Sequence, residues 1–185
     1  ALKKLPSLER FDFDAGMFTT EEIAWIVAKY PTLAGKCLCA YNTEDAILTD
    51  VLRAVRYVRY YAKDLGVDPE KIVVMGFSAG GHLAGTTSTK WTEEQTRPDF
   101  SILIYPVITM EIGLTHKGTR EKLITEKAVW QEHITEKYSL ENQVTRFTPP
   151  TFLALSSDDR TVPAENSLRN YNRLIDNEVS AEMHI

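Results

Sequence analysis

One serine in this chain stands where its hydroxyl could become a nucleophile. Ser78 lies inside Gly76-Phe77-Ser78-Ala79-Gly80, a match to G-x-S-x-G, a pattern in which the serine occupies a strained turn with its oxygen exposed at a strand end. The flanking residues supply the frame, because Ile72-Val73-Val74-Met75 is an apolar run of strand character and Gly81-His82-Leu83-Ala84-Gly85 opens a helix. The expectation is strand, tight turn, helix. A side chain at Gly76 or Gly80 is expected to strike the neighbouring strand or helix, and the turn asks for backbone angles that most residues avoid. The amide of Ala79 and the positive end of the following helix would lie where an oxyanion forms. Two other glycine-rich readings fail letter by letter: a dinucleotide fingerprint needs glycine at Ser78, and a P-loop needs lysine where His82 follows Gly81. A serine that merely falls between packing glycines is the plain alternative, and the strand before and helix after weigh against it.

A nucleophilic serine needs a base and a group that orients the base. Asp158 and Asp159 both qualify as the orienting acid, since they follow an apolar strand, Thr151-Phe152-Leu153-Ala154-Leu155-Ser156, and stand after Ser78 in chain order. The pair could instead cap the helix after Pro163. Of the four histidines, His82 reads as a buried, hydrogen-bonded helix residue, His116 as a residue lining a pocket from a loop, His133 as solvent-facing on a charged helix, and His184 as part of the last strand. None is a convincing base. Cys37 and Cys39, two apart in an expected strand at Lys36 to Tyr41, have backbones too far apart for an easy disulfide and read as reduced core residues. No HExxH or CxxC is present, and no metal or cofactor is implied.

These groups must be held by alternating elements. The spacing predicts a helix from Glu21 to Tyr30 stopped by Pro31, a helix from Ile47 to Leu65 stopped by Gly66, the Ser78 strand and helix, and a strand from Phe100 to Val107. Residues 108 to 147 read as an irregular insertion that would cap a pocket, with a charged helical stretch from Arg120 to Tyr138. A helix from Ala164 to Asp176, burying Leu168, Tyr171, Leu174 and Ile175, precedes a last strand starting at Ala181. Such alternation predicts an α/β fold with a doubly wound, mostly parallel sheet and functional residues at the C-terminal strand ends. At 185 residues, 43% hydrophobic and 25% charged, the chain is expected to form a single domain. Its net charge of -5 and pI near 5.4 argue against nucleic acid or an anionic membrane surface as partner. No apolar run reaches the length of a membrane span, so a soluble protein is expected. The cytoplasm is favoured, with export after signal removal left open because the chain starts at Ala1. Oligomeric state is not legible.

Gly-Phe-Ser-Ala-Gly-Gly-His-Leu-Ala at 76–84, Ile-Tyr-Pro-Val-Ile-Thr-Met at 104–110 and Asp-Asp-Arg-Thr-Val-Pro-Ala-Glu-Asn-Ser-Leu at 158–168 together make the chain resemble α/β-hydrolase-fold serine esterases, bacterial acetyl-xylan and sugar-ester esterases in particular. The likeness runs from Leu48 to Ile185. It implies a serine, histidine and acid triad that deacylates a small ester, such as an acetylated sugar or oligosaccharide, through an acyl-enzyme. Its pattern of an aspartate, two residues and Val-Pro selects Asp159 as the acid. It also places the catalytic histidine in a loop beyond the last strand, hence beyond Ile185, and one oxyanion donor in an early glycine-rich loop where this chain offers only Gly16. The expectation is thus an α/β-hydrolase domain lacking some N-terminal, loop and C-terminal segments. A non-catalytic binding protein on the same fold is the rival, and a peptidase or acyltransferase would use the same groups.

Overall fold

The computed structural model describes residues 44–124 and 133–185. The chain divides into two compact units, Ala1–Ala54 and Val55–Ile185. Of the first unit, residues 44–54 are described, and they belong to helix α1, Glu44–Tyr60. The expected helix over 21–30, the strand over 36–41 with Cys37 and Cys39, and Gly16 lie outside the described residues.

The single helix expected to Leu65 is broken at Tyr61, after which a short α2, Ala62–Leu65, completes it. The stop is where glycine was expected to put it: Gly66 takes the left-handed conformation, φ 69°, and donates its amide to the carbonyls of Ala62 and Lys63. Arg59 then anchors the joint. Its guanidinium donates to the Pro69 and Gln95 carbonyls at 2.9 and 2.7 Å and to Asp99 Oδ2 at 2.7 Å, while that same oxygen accepts from the Ile72 amide at 2.8 Å.

Four parallel strands follow in chain order: β1 Val73–Phe77, β2 Phe100–Ile104, β3 Thr151–Ala154 and β4 Ala181–His184. Each pairs with the next, with Phe77 opposite Ile104, Ile104 opposite Ala154 and Ala154 opposite His184. Their C-terminal ends therefore share one edge. Helices connect them as a parallel sheet demands: α3, Ala79–Thr89, packs on β1 and β2, and α6, Glu165–Asp176, packs on β3 and β4. The insertion carries α4, Lys117–Leu123, and α5, Ile134–Tyr138. This is the α/β architecture expected from the alternation, with Leu103, Leu153, Leu174 and Ile108 at the centre of the larger core.

Three expectations need correction. Strand β2 ends at Ile104 rather than Val107, because Tyr105 adopts φ 36° and Pro106 has no amide to donate. Gly80 has open space where a side chain would go, so its place in the pattern is not steric. On α6, Leu174 is buried, but Ile175 is 49% exposed, and Asn166, Ser167 and Asn170 face inward instead. The inward stripe is Asn166, Asn170 and Leu174, one residue every four. The helix is turned that way because Asn166 is engaged in the loops beside it.

Helix α3 is also more polar inside than most core helices. Thr86, Thr87 and Ser88 are buried, and each hydroxyl donates to the carbonyl four residues back, of His82, Leu83 and Ala84, at 2.8 to 2.9 Å. These bonds satisfy the hydroxyls within the helix, so their burial leaves nothing unpaired.

Candidate active site

Ser78 sits at the joint of β1 and α3 with φ 51° and ψ -119°. Few L-residues adopt such angles, and holding one there costs about 1–3 kcal/mol. What holds it is visible on every side. The Ser78 amide donates to the Ile104 carbonyl at 3.0 Å, continuing the β1–β2 ladder, and its carbonyl accepts from the amides of His82 at 3.2 Å and Val107 at 3.1 Å. Two glycines let the parts approach. A Cβ on Gly76 would lie 2.1 Å from the Gly80 carbonyl oxygen, and one on Gly81 would lie 2.7 Å from Pro106 Cβ. Ser78 is half-buried and Ala79 exposed. As the first residue of an eleven-residue helix, Ala79 has an amide with no intrahelical acceptor, which leaves that donor available beside Ser78.

The aspartates separate clearly. Asp159 is half-buried, and its Oδ1 accepts from the amides of Thr161 at 2.8 Å and Val162 at 3.0 Å. Its other carboxylate oxygen makes no such bond among the described residues. Asp158 is exposed and takes the Ser156 hydroxyl on its Oδ1. Neither caps α6, whose N-cap residue is Ala164 with no side-chain bond. Asp159 shapes its own turn, at the same edge of the sheet as Ser78.

The four histidines have other partners. His82 is buried, its Nδ1 3.1 Å from the Val107 carbonyl, so Nδ1 carries the proton and Nε2 is left without a partner. Burial pushes its pKa down to about 4, against a smaller upward pull from the Val107 carbonyl and with a further lowering by Lys90. The imidazole is neutral. His116 caps α4, with Nδ1 accepting from the Thr119 amide at 3.2 Å. His133 pairs with Glu136 at 3.1 Å, and His184 with Glu182 at 2.5 Å, both exposed. None of the four hydrogen-bonds the Ser78 hydroxyl.

Residues 107–110 are the part of the site that sequence reasoning missed. Val107, Ile108, Thr109 and Met110 are completely buried yet belong to no strand or helix. Buried irregular backbone must find partners for its polar groups. Here the amides of Val107, Ile108, Thr109 and Met110 donate to Ser78, twice to Asn166 and to Ser139, respectively. The carbonyls of Val107, Ile108 and Met110 accept from His82, Leu140 and Arg120. The available signal was Pro106, which forbids an ordinary strand continuation in an otherwise apolar run.

Among the described residues, no group of three or more histidines, cysteines, aspartates or glutamates is placed to hold a metal ion, and no helix is long and apolar enough to cross a membrane.

Comparison with known proteins meets this geometry from outside. A family model described as BD-FAE matches residues 38–174. The chain is 36% identical over 127 residues to an acetylxylan esterase of Xylanibacter ruminicola, covering 68% of this chain and 26% of that protein. It is 38% identical over 130 residues to an endo-1,4-beta-xylanase B of Butyrivibrio fibrisolvens, covering 65% and 20%. Among solved structures, an acetyl ester-xyloside bifunctional hydrolase from Caldicellulosiruptor lactoaceticus superposes with a TM-score of 0.70 at 39% identity, over 78% of this chain and 56% of that one. The chain thus spans about a quarter or less of the curated relatives and just over half of the solved hydrolase. The family match embraces the Ser78 turn, the buried 107–110 segment and the Asp159 loop together; with its parallel sheet of the α/β-hydrolase type, the chain belongs to the BD-FAE family.

Proposed function

We propose that this chain carries the nucleophile and the orienting acid of a serine carboxylesterase that removes an acyl group, acetyl in the first instance, from a carbohydrate such as acetylated xylan. The observation that carries the reading is the Ser78 turn, a non-glycine residue held at φ 51° between a strand end and a helix N-terminus. The esterase names of relatives support the reaction class, and the acetylxylan esterase supports the substrate.

In this reading Ser78 Oγ attacks the acyl carbonyl carbon and its proton passes to a histidine following β4, beyond Ile185. The Ala79 amide stabilises the oxyanion. Collapse breaks the ester bond, the histidine returns the proton to the departing sugar oxygen, which leaves as a hydroxyl, and water then attacks the acyl-serine to release the carboxylic acid and restore the serine. Asp159 holds the histidine in the required tautomer. The segment 108–147, whose first residues are buried, acts as a cap-like insertion on a single hydrolase domain. No cofactor takes part.

The test is a fluorophosphonate label on the full-length protein, read by mass spectrometry, with hydrolysis of 4-nitrophenyl acetate and acetylated xylan. One adduct on Ser78 is expected, and Ser78→Ala should lower turnover by about 10⁴-fold or more. Full activity in that variant would sink the assignment. A second reading, a non-catalytic carbohydrate-binding protein, is favoured by one observation: no histidine of the chain reaches the Ser78 hydroxyl. Its mark would be xylo-oligosaccharide binding that survives Ser78→Ala, with no adduct ever formed on the unmutated protein. A peptidase or acyltransferase would label in the same way and is separated by its acceptor and substrate.

A further inference from the structure

Asn166 is fully buried, and every hydrogen-bonding position of its amide is used. Oδ1 accepts from the amides of Ile108 at 2.9 Å and Thr109 at 3.1 Å, and Nδ2 donates to the carbonyls of Leu114 at 2.8 Å and Pro163 at 3.0 Å. Two backbone donors on one side and two backbone acceptors on the other leave only one way for the amide to point. Such a side chain fixes the backbones it joins, and leaving any of those groups unpaired in the interior is costly.

The joined backbones matter more than the bond count. On one side is the buried 107–110 segment, whose first amide, that of Val107, donates to the Ser78 carbonyl and whose first carbonyl accepts from His82 on the nucleophile helix. On the other side is Pro163, which directly follows the Thr161 and Val162 amides that hold Asp159 Oδ1. Val107 and Val162 also belong to one small buried apolar cluster. A continuous connection, buried at Val107–Thr109 and Asn166 and half-buried at Pro163, therefore runs from the Ser78 turn to the Asp159 turn. We infer that Asn166 is a positioning residue for catalysis, setting the Asp159 carboxylate against Ser78 by clamping the loops after β2 and β3 to each other.

This rests on the reading of Ser78 and Asp159 as nucleophile and acid. Residue-resolved amide exchange on the unmutated protein tests the clamp without any turnover. The amides of Val107, Ile108, Thr109 and Val162 should open as one unit, with opening equilibria within about threefold of each other. Exchange at Val162 about 100-fold or more faster than at Ile108 and Thr109 would show that the acid loop opens by itself and would overturn the inference.

Kinetics of the full-length protein test its catalytic meaning. Asn166→Asp keeps the acceptor for Ile108 and Thr109 and deletes both donations, so it is the variant to compare with Asp159→Asn and the double variant, each assayed where circular dichroism shows it folded. Asn166→Asp should lower kcat about 10- to 100-fold, with KM changed less than about threefold. In the Asp159→Asn background the same substitution should cost less than about threefold, because the group it positions is already disabled. Equal losses in both backgrounds, or a loss carried wholly by KM, would overturn the positioning role. An Asp159→Asn rate equal to that of the unmutated enzyme would instead remove the acid assignment itself, an outcome distinct from either result for Asn166.

Discussion

The carbonyl oxygen of Ser78 accepts two amides at once, that of His82 at 3.2 Å from its own helix and that of Val107 at 3.1 Å from the neighbouring loop. The turn is thereby held from both sides, which is how a serine keeps angles that L-residues avoid. Val107 in turn is held by the His82 imidazole. The geometry around the serine thus depends on residues that never need to touch a substrate.

The two adjacent aspartates should differ sharply. Asp159→Asn keeps an Oδ1 for the Thr161 and Val162 amides, so the turn survives while the negative charge is lost, and kcat on an activated acetate ester should fall about 10³-fold or more. Asp158→Asn alters an exposed carboxylate tied to Ser156 and should leave kcat within about threefold. Equal losses in the two variants would move the acid elsewhere.

The glycines of the pattern should not be equivalent. Gly76→Ala drives a methyl into the Gly80 carbonyl and Gly81→Ala into Pro106, each expected to destabilise by about 3 kcal/mol in urea unfolding. Gly80→Ala meets nothing within 4 Å and lies in a helix, where alanine is favoured over glycine by about 1 kcal/mol. A Gly80→Ala protein as damaged as Gly76→Ala would contradict the packing described for this turn.

His82 makes stability pH-dependent in a defined direction. Its folded pKa, about 4, lies below the ordinary histidine value of 6.5. Above pH 6.5 the imidazole is neutral in both states; as pH falls, the unfolded chain takes up the proton first and stability is lost down to pH about 4. The loss attributable to this one group is on the order of 3 kcal/mol. His82→Asn keeps a donor for the Val107 carbonyl but cannot titrate, so its stability curve should be flatter than that of the unmutated protein over that window. Parallel curves for the two proteins would show that His82 is not buried neutral.

Two arginines near the end of α1 offer an internal control. Arg59 bonds Asp99 and two carbonyls and is largely buried, so Arg59→Met should destabilise by about 2–3 kcal/mol. Arg56 meets Glu93 at 3.4 Å with both side chains more than half exposed, and Arg56→Met should change stability by less than about 1 kcal/mol. Thermal or urea unfolding of the pair decides the matter, and similar losses would contradict the assigned burial.

What could be read from the letters was local. The Ser78 turn, the stop at Gly66 and the existence of the four strands follow from periodicity and from residues that dictate backbone angles, although β2 and β3 stop short of the 100–107 and 151–156 expected. What could not be read was tertiary. Nothing within 107–110 announces that four apolar or small residues would be buried without forming a strand, because their partners, Asn166 and Ser139, lie far along the chain. The same remoteness hid the inward face of α6. Ile175 looks like a core residue by composition, yet the helix is turned by an asparagine whose four partners lie in the loops on either side.

Because β1, β2, β3 and β4 lie side by side in the order they occur in the chain, the sheet can be assembled by adding each strand to one growing edge. A chain emerging from a ribosome would then have the Ser78 strand, its helix and β2 available to pair before the Asp159 loop has been made. Helix α6 and β4 arrive later and dock onto a surface already formed, with Asn166 as the latch between the two loops. Among these four described strands the order of synthesis and the order of assembly coincide, and none of the four has to be inserted between two of the others.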